Sequence, residues 1–183
     1  MLREAMARRG RSADYVCPAL PASPAEAIKV AKRTVEGIEA ARLVLIGSSL
    51  GGYYATWLAE RLGCRAVLLN PAIRPQDDLA RHLGAQQVYF SDAQIEFRRE
   101  YLAELDAIDT PEITRPERYF LIAATGDAVI DYRAMVRKYK GAKQHVIAGS
   151  DHELSDFSQY LDEVLAFCDA GTMASKTDGR EGQ

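Results

Sequence analysis

With 183 residues, 48% of them hydrophobic, the chain holds enough apolar material for one ordinary core and too little for two comfortable domains. Its 23 basic and 26 acidic side chains leave a net charge of −3, without the extended positive field that a polyphosphate partner demands, so nucleic acid is excluded as an expected ligand. Cys17, Cys64 and Cys168 are odd in number and lack metal-type spacing, and two of them sit inside apolar runs, a usage that fits a reducing cytoplasm.

The first eleven residues carry four arginines. Neither an apolar core of signal-peptide length nor a small-residue cleavage site follows, so Met1 to Arg9 is predicted to be an amphipathic helix. A first short strand is expected at Asp14 to Cys17. Next, Ser23-Pro24-Ala25-Glu26 forms a capping box with proline at the first helical position, and Ile28, Ala31, Val35 and Ile38 mark one face of a helix ending near Ala40. Further strands are predicted at Arg42 to Ile46, Arg65 to Leu69, Tyr119 to Ala123 and Gln144 to Ala148. Short β-branched runs alternating with helical patterns are the mark of an α/β fold, a mostly parallel sheet flanked by helices.

Between the third and fourth of these strands lies a long excursion, Asn70 to Arg118, in which Pro71, Pro75, Pro111 and Pro116 surround two helical patterns. It exceeds an ordinary βα connection, and a lid-like segment is expected over residues 74–118. Phe157, Tyr160, Leu161, Val164, Leu165 and Cys168 predict a closing helix with Ser155 as the cap of its first turn. One domain over residues 1–170 results, followed by a small, polar tail at 171–183 expected to be disordered. No stretch approaches the roughly 20 apolar residues of a membrane span, so membrane insertion is not expected.

The run from Arg42 to Glu60 reads as strand, tight turn and helix, with Gly47-Ser48-Ser49-Leu50-Gly51 at the turn. This is the context of a nucleophile elbow, in which a strained turn lifts the Ser49 hydroxyl above the sheet edge. Gly47 and Gly51 are read as the residues that leave room for the turn, and the Leu50 N–H at the helix start as an oxyanion donor. A dinucleotide turn requires glycine where Ser49 stands, and a phosphate loop requires lysine where Tyr53 stands, so neither nucleotide motif is present. Ser48 shapes the elbow with its side chain turned away from the cleft, and Tyr53 and Tyr54 are helix-packing residues.

A serine hydroxyl needs a base to take its proton and a third group to hold that base. His152 follows the fifth predicted strand in Gly-Ser-Asp-His-Glu, whereas His82 lies in a helical stretch and His145 inside a strand. For the acid, Asp127 follows the fourth predicted strand and competes with Asp131 and Asp151. Asp131 reads as the cap of a helix over Tyr132 to Tyr139, which favours Asp127.

The segment Ile46 to Leu58, together with Leu69-Asn70-Pro71-Ala72-Ile73-Arg74-Pro75, Thr125-Gly126-Asp127, Asp131-Tyr132-Arg133, and Gly149 with His152, resembles the YqiA-type esterases, small bacterial α/β-hydrolases. The likeness spans almost everything from Tyr15 to Phe167. It implies hydrolysis of carboxylic esters, and of thioesters, with a small-molecule ester substrate and no cofactor, and it matches Ser49, Asp127 and His152 to the catalytic positions.

Members of that family begin with an apolar strand ending in His-Gly-Phe, a loop that supplies a second oxyanion donor, and here the pattern starts later. Met1 to Arg9 corresponds to the helix after that loop. The absent strand belongs inside the sheet, between Asp14 to Cys17 and the nucleophile strand. A gap there exposes strand edges at about 1 to 3 kcal/mol for each unpaired buried group, against a net stability of roughly 5 to 15 kcal/mol. The expectation is therefore an internal start, with about 15 further residues upstream. The alternative is a catalytically impaired or noncatalytic hydrolase scaffold in which the oxyanion site is incomplete.

Overall fold

The computed structural model describes residues 1–82 and 98–177. Four strands, β1 (Val44–Ser48), β2 (Arg65–Leu69), β3 (Tyr119–Ala124) and β4 (Lys143–Ile147), pair in parallel in the order β1-β2-β3-β4. Ser48 stands opposite Leu69, Leu69 opposite Ile122, and Ala124 opposite Ile147, so the carboxyl ends finish nearly level. Every loop that leaves a strand therefore opens along one edge, where ligands of open α/β sheets bind.

The side-chain alternation of the central strands divides the core. Ala66, Leu68, Tyr119, Leu121 and Ala123 face α3 (Leu50–Leu62) and α6 (Tyr132–Lys138), which contribute Ala55, Ala59 and Met135. Val67, Leu69, Phe120, Ile122 and Ala124 face the other way, onto Val164 and Phe167 of α7 (Leu161–Thr177). Because both faces are covered, β2 and β3 read as continuous apolar runs. α1 (Leu2–Arg8), the helix expected at the start, buries Ala5 and Met6 against Leu165.

α2 (Pro24–Thr34) begins as its capping box predicts, with the Glu26 N–H donating to Ser23 Oγ at 3.3 Å. The other half of the box, from the Ser23 N–H to Glu26, does not form. Glu26 turns to Lys29, and Glu104 accepts from the Ser23 hydroxyl at 2.7 Å and from the Ala25 N–H at 3.0 Å. The helix stops at Thr34 rather than near Ala40, with Gly37 at φ +77° and Ile38 left 47% exposed.

Within the 74–118 segment lie α4 (Pro75–His82) and α5 (Glu100–Asp106). α5 is anchored through Glu104 and through the Tyr53 hydroxyl, which donates to the Leu105 carbonyl at 2.9 Å. At the other end, α7 continues past Gly171 to Thr177, where a disordered tail was expected to begin, and residues 178–183 lie outside the described ones. Asp131 caps α6 through the Arg133 N–H at 2.9 Å, as expected.

Two further sequence expectations are corrected. Asp14 to Cys17 is not a strand. Ser12–Asp14 forms a 3₁₀ turn, Tyr15 is extended, and Val16 is 62% exposed, because among the described residues β1 is an edge of the sheet and no strand lies there for the segment to pair with. Ser155 does not cap the closing helix. Its hydroxyl donates to Asp151 at 2.6 Å, and the chain makes a 3₁₀ turn at Phe157–Gln159 before α7 starts. No described helix is long and apolar enough to cross a membrane.

One buried polar pair tests the packing between α3 and α6. Thr56 and Tyr139 are fully buried, with their hydroxyls 2.8 Å apart, and the single Thr56 proton goes to the Gly52 carbonyl at 2.8 Å. Tyr139 is therefore the donor in the pair. Thr56→Val strands a buried phenol and is expected to cost about 1 to 3 kcal/mol, whereas Tyr139→Phe leaves the Thr56 donor satisfied and is expected to cost about 0.5 to 1.5 kcal/mol. Urea unfolding of both variants checks the order, and a larger loss for Tyr139→Phe contradicts it.

Candidate active site

At the end of β1 the chain turns directly into α3, and the residue at the turn is Ser49, with φ 51° and ψ −121°. A positive φ is costly for a residue with a side chain and persists only where the surroundings enforce it. Here they do. The Ser49 N–H donates to the Leu69 carbonyl at 3.0 Å, and the Ser49 carbonyl accepts from Gly52 N–H at 2.9 Å and Ala72 N–H at 2.9 Å.

Two glycines make the turn sterically possible, and one is not the one expected. A Cβ on Gly47 would run into the Gly51 carbonyl, and a Cβ on Gly52 would lie 2.7 Å from Pro71 Cβ. Gly51 has open space around it, so its place in the motif is not explained by crowding. The Leu50 N–H, first in α3, meets no acceptor among the described residues and remains available at the helix start.

The loops after β3 and β4 bring Asp127 and His152 to this serine. His152 Nε2 lies 3.0 Å from Ser49 Oγ, and Nδ1 lies 2.8 Å from Asp127 Oδ2. The Asp127 side chain is wholly buried and that of His152 is 22% exposed. The second carboxylate oxygen of Asp127 accepts from the N–H groups of Val129 at 2.7 Å and Ile130 at 2.9 Å, which fixes the rotamer and turns Oδ2 toward the imidazole.

The two loops are stitched to each other. Gly126 N–H donates to the Gly149 carbonyl at 2.9 Å, and the Gly149 N–H donates to the Thr125 hydroxyl at 2.9 Å. A Cβ on Gly126 would collide with the Ser150 carbonyl and sit 3.0 Å from the Gly149 oxygen, so the approach of the loops requires glycine there. Asn70, at the end of β2, is completely buried at φ 41° and joins the same arrangement. Its side chain accepts from Ala124 N–H at 2.8 Å and donates to the carbonyls of Asp151 and His152 at 2.9 and 3.0 Å. Sequence reasoning assigned it no role, since an asparagine after a strand is also an ordinary turn residue.

The competing candidates lie elsewhere. Asp131 is the α6 cap, and Asp151 binds the Ser155 hydroxyl and N–H, contacts that hold its carboxyl below the usual range. His145 pairs with Glu163 at 2.7 Å on β4, and the side chain of His82 lies outside the described residues. The three cysteines are free. Burial pushes the thiols of Cys64 and Cys168 up to about 11, so neither is a ready thiolate.

This fold is shared by solved structures of low sequence identity. A protein from Agrobacterium vitis S4 described as a hydrolase matches with a TM-score of 0.64 at 18% identity, over 80% of this chain and 69% of its own. The monoacylglycerol lipase of Paleococcus ferrophilus matches with a TM-score of 0.57 at 17% identity, over 81% and 76%. One of the metagenome-derived lipolytic enzymes LipS and LipT matches with a TM-score of 0.57 at 19% identity, over 92% and 86%. These likenesses show the α/β-hydrolase fold. Residues 1–169 match the family described as Uncharacterised protein family (UPF0227), and the chain belongs to that family of YqiA-like proteins.

Proposed function

We propose that this chain is a serine esterase that hydrolyses carboxylic esters, and thioesters, through an acyl-enzyme. The observation that carries the reading is one imidazole within hydrogen-bond reach of two partners, Ser49 Oγ at 3.0 Å and Asp127 Oδ2 at 2.8 Å. An Nδ1–H directed at the carboxylate leaves the Nε2 lone pair facing the serine hydroxyl, which is the tautomer that a general base needs.

In the first half-reaction His152 Nε2 takes the Ser49 proton as Oγ attacks the ester carbonyl carbon. The carbonyl π pair moves onto oxygen, and Leu50 N–H donates to the resulting oxyanion. Collapse of the tetrahedral species expels the alcohol, or thiol, which takes the proton held on Nε2. Water then repeats the sequence on the acyl-enzyme: it gives a proton to His152, adds to the carbonyl, and Ser49 leaves with that proton as the carboxylic acid forms. Asp127 stays a hydrogen-bond acceptor throughout and stabilises the imidazolium. The lid-like role expected of residues 74–118, of which 83–97 lie outside the described residues, belongs to this reading.

The test is hydrolysis of p-nitrophenyl acetate. Ser49→Ala is expected to lower turnover by roughly six orders of magnitude, to background. Undiminished turnover in that variant would refute the assignment. Asp127→Asn keeps the shape but presents a donor to Nδ1 and reverses the tautomer, and a loss of about 10⁴-fold in kcat is expected. A loss smaller than tenfold would remove Asp127 from the mechanism.

A further inference from the structure

We infer that Asn70 is a positioning residue for His152, a role that rests on the esterase reading and adds to it a group that never touches substrate. Four polar contacts define its place. The main-chain N–H donates to the Ile122 carbonyl at 2.9 Å and the side-chain oxygen accepts from Ala124 N–H at 2.8 Å, both on β3. The two amide protons of Nδ2 then reach the carbonyls of Asp151 and of His152 itself, at 2.9 and 3.0 Å. The amide thus ties the end of the rigid central strand to the backbone of the base.

The base needs such a tie. Its loop contains two residues other than glycine at positive φ, Ser150 at 57° and Leu154 at 52°, conformations that the loop does not favour by itself. Two residues beyond Asn70, the Ala72 N–H holds the Ser49 carbonyl at 2.9 Å. The segment 70–72 therefore grips the nucleophile with one group and the base with another, and so sets the 3.0 Å between Oγ and Nε2. Asparagine suits the position: it tolerates positive φ and offers both the acceptor that β3 needs and the two donors that the base loop needs.

Asn70→Asp isolates the donors, because a carboxylate still accepts from Ala124 but turns an oxygen toward two carbonyls. Asn70→Gly removes the amide and keeps the backbone unstrained. Two readouts apply to each. One is the low-field proton NMR signal of His152 Nδ1–H toward Asp127, identified by its absence in His152→Gln and readable without turnover. The other is the separation of kcat from KM with p-nitrophenyl acetate.

Both variants are expected to fold, with the signal shifted or broadened, kcat lowered about 10- to 100-fold, and KM within about twofold, as for a base displaced by a fraction of an ångström. An unchanged signal with unchanged kcat in both variants overturns the positioning role. So does loss of the whole fold in both, which would make Asn70 a purely structural residue. If the natural chain hydrolyses no ester, the esterase reading fails, and the His152 signal alone decides whether Asn70 holds the imidazole.

Discussion

Three side chains from three separate loops meet at about 3 Å, and they can do so because the strands that carry those loops end at one level edge of a parallel sheet. A parallel ladder delivers its residues in one direction only, so every βα connection starts on the same side. Level ends alone leave several ångströms of freedom in each loop. That freedom is removed by ties between loops: Ala72 to Ser49, Gly126 to Gly149, Gly149 to Thr125, and the Asn70 amide to the His152 backbone. Each tie is a hydrogen bond worth about 0.5 to 1.5 kcal/mol net, and in concert they select one arrangement of the site.

The glycines show the same economy of space. Gly47, Gly52 and Gly126 sit where backbone must approach backbone within contact distance, and a single methyl at any of them would push the elbow, or the Asp127 and His152 loops, apart. Strain at Ser49 is held by the Leu69 carbonyl behind it and by the Gly52 and Ala72 amides at its own carbonyl. The turn of the hydroxyl toward His152 is the consequence of that strain, since an ordinary helix start would fold the serine back as a cap.

Much of this was legible in the residues. Apolar runs marked the β2 and β3 strands almost to the residue, because a strand buried on both faces has no polar alternation to blur its limits. Ser49, Asp127 and His152 were placed by the logic of strand, turn and loop, and the geometry joins all three. Other features depended on long-range contacts that no local pattern carries. Glu104 joins the α2 cap from 79 and 81 positions away in sequence, Ser155 turns to Asp151 instead of to α7, and Asp14 to Cys17 has strand composition but no neighbouring strand among the described residues. Asn70 was visible only as part of a resemblance, because its role comes from partners some 80 positions distant.

The edge at β1 bears on how much of the oxyanion site these residues supply. Val44, Leu45 and Ile46 are only partly covered there, and on the proposed reading Leu50 N–H is the donor that the elbow itself provides. On the proposed reading, activation of the serine depends on His152, on Asp127 and on the Asn70 amide that holds the base, and it can be read separately from turnover. Intact-mass and peptide mass spectrometry after exposure to a fluorophosphonate probe is the most direct measurement. One phosphonyl adduct is expected, located on Ser49 and absent when His152 is replaced by glutamine. An unmodified Ser49 in the folded natural chain, or equal labelling without the histidine, would contradict it.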